Sequence, residues 1–187
     1  MLQPTDSNGM MTRFGHFLNE FYRESDRGAA IFAASWLDAF LTTVLKEYLI
    51  EGESTGKLFS VSMNGPLQSF GNKLNLAFSL GLISEREYKD CTIISNIRNK
   101  FGHRFDLDFS FDTHQIAELC QRLNTNVEDR EPVVAFAGTN RECFNNCVFA
   151  LHMRFMVRPP HARNRRPIRP DWDALMFDQA DSPDVGP

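Results

Sequence analysis

Arg98, Asn99 and His103 lie together in the stretch IISNIRNKFGH, residues 93–103. A guanidinium can hold a phosphate or carboxylate through two parallel hydrogen bonds. An imidazole can move a proton near neutral pH, and a neighbouring amide can orient either group. The Arg-x4-His spacing is one that metal-independent ribonucleases use, with His acting on the 2′-hydroxyl and Arg steadying the phosphate in the transition state. The plainer reading is a buried polar cluster in which Arg98 pairs with Asp38 while Asn99 and His103 cap helix carbonyls. A spacing of five between Arg and His is common by chance, so the structural cluster is the reading to beat, with ligand or partner contact as the third.

The elements that must position these residues follow from apolar periodicity. Ser84-x-x-Glu87 is a capping box that starts a helix, and Tyr88, Cys91, Ile94 (with Ile97 or Arg98) and Phe101 form its inward face. Gly102 reads as its stop, placing His103 where the chain turns. On a straight helix Arg98 and His103 would sit about 140° apart, so a left-handed Gly102 is the device that would bring them together. Asp38 belongs to a segment from about 26 to 50 that is apolar nearly all round, from Gly28 to Leu45, as expected of the central helix of a bundle. Asp38 is the only charge between Gly28 and Leu45 and therefore needs a partner, because a bare buried carboxylate costs on the order of several kcal/mol.

Other helices are expected around Phe14 to Phe21, from Pro66 to a stop at Gly81, from Asp112 to Leu123, and from Thr139 or Asn140 to about Phe155, before Pro159-Pro160. Residues 51–65 read as a loop with an apolar contact at Leu58 and Phe59. Residues 104–111 alternate and read as an extended crossing. The sum is a single all-α bundle of about six helices over residues 12–157, with a flexible arm at 1–11 and a disordered tail at 158–187.

The 187 residues carry 20 Lys and Arg against 24 Asp and Glu, which excludes a protein that is basic all over and coats nucleic acid. The charge is unevenly placed. Residues 154–170 hold six Arg and no acid, whereas residues 171–187 hold five Asp and no Lys or Arg. Arg158, Arg163, Arg165, Arg166 and Arg169 are thus the candidates for a nucleic acid or other anionic partner. The competing reading is a solvated tail that folds back on its own Asp-rich end. Seventeen Phe against three Tyr and two Trp favour a core of plain apolar rings.

Cys91, Cys120, Cys143 and Cys147 lie in apolar segments, and the first ten residues lack a signal-like apolar run. Free thiols in a reducing cytoplasm are the expectation. Cys143, Cys147 and His152 do not converge on one helix face, so no zinc is expected. No Gly-rich phosphate loop, His-Glu-x-x-His or Ser-nucleophile pattern occurs, and no cofactor is expected. No membrane-flanked apolar run is read either.

In order along the chain, DRGAAIFAASWLDAFL, PLQSFGNKLNLAFSLGLIS and IISNIRNKFGH resemble the mannitol operon repressor family, small all-helical bacterial proteins. The resemblance covers about residues 12–157, and TNRECFNNCVFAL is similar to the family's last helix. Gly102 stands where the family has alanine, and the Arg-then-Asp tail looks like an addition. The resemblance implies a regulator of transcription acting through a regulatory protein partner. The residues agree: no helix-turn-helix with a basic recognition helix is seen, and up to Met153 the chain holds 14 Lys and Arg against 19 Asp and Glu. Direct binding of duplex DNA by such a body is electrostatically unfavourable. The alternative is a HEPN-type endoribonuclease using Arg98 and His103, with Asp38 orienting Arg98, in a homodimer.

Overall fold

The computed structural model describes residues 15, 18–104, 106, 108–123 and 138–172. Their regular elements are helical residues 18–23 (α1), α2 (Asp26–Tyr48), α3 (Glu53–Leu58), a 3-10 turn at Pro66–Gln68, α4 (Phe70–Ser79), α5 (Glu85–His103), α6 (His114–Cys120), α7 (Asn140–Met156) and α8 (Arg158–Asn164). The all-α bundle expected from periodicity is the fold. The expected arm at 1–11, a loop expected from about 124 to 138 (apart from its last residue) and most of the Asp-rich end lie outside the described residues.

α2 is central because almost nothing on it needs water. Ser25 caps it, its hydroxyl accepting the Gly28 N–H, and Asp26 places an acid in the first turn. Ala29, Ala30, Ala33 and Ala34 are buried and let neighbouring helices approach closely. Leu37, Leu41, Val44 and Leu45 are fully buried behind them, each worth roughly 2 kcal/mol of burial. α4, α5, α7 and α8 all pack on this one helix. α2 is also long and apolar enough to cross a membrane by length and composition, and it is the one such helix among the described residues. Here it is the core of the bundle.

The phenylalanines form the other half of the core. Phe111 lies 5.2 Å from Phe101 of α5 and 4.8 Å from Phe144 of α7, ring centre to ring centre, and Phe144 reaches Phe21 of α1 at 6.5 Å. A run of buried rings thus joins α1, α5, α7 and the segment before α6.

Helix ends follow local chemistry. Gly81, at φ 65°, ends α4 in a Schellman turn: Leu82 N–H donates to the Ala77 carbonyl and Gly81 N–H to the Phe78 carbonyl. The anticipated capping box of Ser84 with Glu87 is present, and a second one, not anticipated, joins Thr139 with Glu142 at the start of α7.

Three expectations need correction. Residues read as a loop contain α3, a short helix capped by Gly52. α6 starts at His114 after Thr113, not from an Asp112 cap, and Thr113 turns its hydroxyl back to accept the Ser110 N–H. The tail read as disordered from 158 instead opens with α8. Pro159 and Pro160 begin that helix rather than merely ending α7, because the first turn needs no N–H from them and suits their fixed φ.

Candidate functional site

Ile93, Ile94, Ile97 and Phe101 hold α5 against the core, and that packing decides where the polar residues go. Ile97 takes the inward position, so Arg98, about 100° further round, is turned to solvent. Asn99 and His103, one turn apart, are exposed as well. Arg98 Nη1 donates to Asn99 Oδ1 at 3.0 Å.

The expected buried cluster is therefore not formed. Asp38 does not meet Arg98. Its Oδ2 accepts from Lys73 Nζ of α4 at 2.7 Å. Lys73 is only 6% exposed, its stem lying in the core while its ammonium reaches the carboxylate. Gly102 has an ordinary helical conformation, and α5 runs on through His103 to an extended Arg104. Without a left-handed turn, Arg98 and His103 point in directions about 140° apart. Among the described residues Asn99 and His103 cap no helix carbonyl.

What this end of α5 offers is donors. Between buried Asp90 and Asp106 the surface carries Arg98, Lys100, His103 and Arg104 and no acid. Lys100 donates to Gln115 Oε1 at 3.2 Å, and Arg104 lies 3.5 Å from Asp106. Such a surface can hold an anionic or amide-rich partner. The ribonuclease reading needs Arg98 and His103 at one phosphodiester, and within one chain a straight helix points them apart.

The C-terminal arginines are placed differently from the expectation. Arg158 donates to Glu87 Oε1 at 2.7 Å and to the Leu82 carbonyl at 2.8 Å. Arg163 grips both oxygens of Glu47 at 2.7 and 2.9 Å. Arg166 reaches Glu51 at 2.6 Å and the Glu47 carbonyl at 2.8 Å. Among the described residues their partners are acids and carbonyls of the bundle. Arg165 and Arg169 face solvent.

Two buried polar centres were not singled out by sequence. Arg141 of α7 binds Asp26 Oδ1 at 2.8 Å, Asn145 Oδ1 at 3.1 Å and the carbonyls of Phe21 and Glu24 at 3.3 and 3.2 Å. Asp26 Oδ2 also accepts the Phe111 N–H at 2.9 Å, so this acid is more than a favourable first-turn charge. The second centre is Trp36, whose indole N–H donates to His152 Nδ1 at 2.7 Å. The imidazole therefore takes part as an acceptor in its neutral form.

Burial pushes the His152 imidazole down to about 4 from its ordinary value. Both folded and unfolded chains are neutral there above about pH 6.5. As pH falls towards 4, the unfolded chain gains a proton that the folded chain refuses, so stability drops and then levels off. We expect His152 alone to remove about 2 kcal/mol of stability between pH 6.5 and 5. Urea unfolding followed by circular dichroism at those two pH values checks this, with His152→Gln as the control. Equal losses in wild type and variant would place the pH dependence elsewhere.

The four cysteines are free and buried. Cys143 donates its thiol to the Cys120 carbonyl at 3.0 Å, and burial pushes the Cys120 thiol up to about 12. Cys91 and Cys147 are raised for the same reason. These are packing residues, poor in thiolate. Among the described residues no group of three His, Cys, Asp or Glu is arranged to hold a metal ion. No family model, curated protein or solved structure matches the chain.

Proposed function

We propose that this chain is a cytoplasmic regulator of transcription of the mannitol operon repressor type, working by contact with a regulatory protein. The contact face is the exposed end of α5 with Arg98, Asn99 and His103. One observation carries the reading: among the described residues these three groups bond only to each other, through Arg98 and Asn99, while Asp38 pairs with Lys73 and the helix packs through Ile97 and Phe101. Exposed guanidinium, amide and imidazole groups on a rigid helix suit recognition of another surface. Acidity elsewhere on the body disfavours direct reading of duplex DNA.

The triple variant Arg98→Ala/Asn99→Ala/His103→Ala tests this. Its melting temperature should stay within about 2 °C of wild type, because exposed substitutions cost roughly 0.5 kcal/mol or less. In cells lacking the chain, wild type should restore the transcript profile and the triple variant should not. Full restoration by the variant removes this face from the function. An unaltered profile in cells lacking the chain removes the regulator reading.

The endoribonuclease reading keeps one observation in its favour: Arg98 and His103 are both open to solvent, so two copies could pool them across a homodimer. Metal-free cleavage of single-stranded RNA by wild type, lost in folded His103→Ala, would put this reading first.

A further inference from the structure

We infer that α8 and the residues just after it form a charge-latched strap, fixed at its inner end and releasable at its outer end. The two ends are held by different physics. At the inner end Arg158 is pinned to Glu87, which is 1% exposed, and to the Leu82 carbonyl, so the carboxylate of this pair lies away from bulk water.

The outer end has almost no apolar hold. Ala162 is the only residue of α8 that is buried, and an alanine contributes little area. His161, Arg163, Asn164 and Arg165 are exposed. What ties this end to α2 is ionic. Arg163 grips the Glu47 carboxylate, and Arg166 spans Glu51 and the carbonyls of Lys46 and Glu47 in the last turn of α2. The Arg163 side chain is 58% exposed and that of Glu51 81% exposed, and Glu47 and Arg166 are about a quarter exposed, against 2% for Glu87 at the inner pin, so salt screens this latch more than the Arg158 pin. Pro159 and Pro160 stiffen the start of the strap, so release begins beyond them. Opening would free Arg163 and Arg166, join them to the already exposed Arg165, and uncover the carbonyl end of α2.

Hydrogen exchange on the full chain tests the strap, in low salt and in about 1 M sodium chloride. The double variant Glu47→Gln/Glu51→Gln keeps the side-chain shapes and removes the charges. Amides of residues 161–166 should exchange at least tenfold faster in the double variant, and in wild type at high salt, while α5 and α7 keep their protection. The salt arm needs no variant, so the idea is testable even if the double variant folds poorly. Unchanged exchange in wild type at high salt, with the variant unchanged or unfolded, would overturn it, leaving α8 a fixed part of the core. So would a rise at 161–166 that α5 and α7 share, because the strap would then have no independent motion.

Discussion

Replacing Arg141 with alanine should lower stability by about 3–5 kcal/mol, roughly 10 °C in melting temperature for a chain of this length. One guanidinium closes the junction of four segments. It pairs with Asp26 at the head of α2, bonds Asn145 on its own helix, and accepts the task of satisfying the Phe21 and Glu24 carbonyls where α1 ends. It also lies over the rings of Phe21 and Phe111, 5.9 and 5.3 Å from their centres. Truncation leaves Asp26, already committed to the Phe111 N–H, with an unanswered charge in a two-thirds buried site. Arg141→Lys should recover only a minor part, because a single ammonium cannot serve two side chains and two carbonyls at once. Thermal melts of the two variants decide this. A drop of less than about 2 °C for Arg141→Ala would mean water replaces the guanidinium at no cost.

What could be read from sequence divides along a physical line. Period and capping are local, so α2, α5 and α7 and the Gly81 stop were legible from side-chain type and spacing alone. Pairing is not local. Asp38 plainly required a cation, and Arg98 was the expected one, but Lys73, 35 residues on, is the one that helix rotation brings to it. The rotation itself was readable: with Ile94, Ile97 and Phe101 inward, Arg98 has to turn outward. Gly102 misled because glycine only permits a left-handed turn and does not impose one. Arg141 had a signal too, as a lone basic residue at the start of a helix, where a cation opposes the dipole unless an acid faces it. The Arg158–Asn164 helix was hidden because Pro-Pro both ends one helix and suits the first turn of the next.

Arg158→Ala should be the other costly change, again about 3–5 kcal/mol, and its cause can be isolated. Glu87 has two duties: Oε2 accepts the Ser84 N–H that closes the α5 capping box, and Oε1 accepts from Arg158. With Arg158 gone, a carboxylate 2% exposed in its side chain loses its counter-ion. The loss is therefore mostly the penalty of the orphaned acid and only partly the worth of the pair. Glu87→Gln in the Arg158→Ala background should then return some of the lost stability, because a neutral amide is cheaper to bury than a bare carboxylate. Chemical denaturation of wild type, the two single variants and the double completes the cycle, with an expected coupling of roughly 2 kcal/mol. Additive losses would show that Arg158 acts through the Leu82 carbonyl and α8 packing instead. Coupling of the expected size would establish this buried pair as the joint that fixes α8 to the head of α5, independent of how the outer arginines respond to salt.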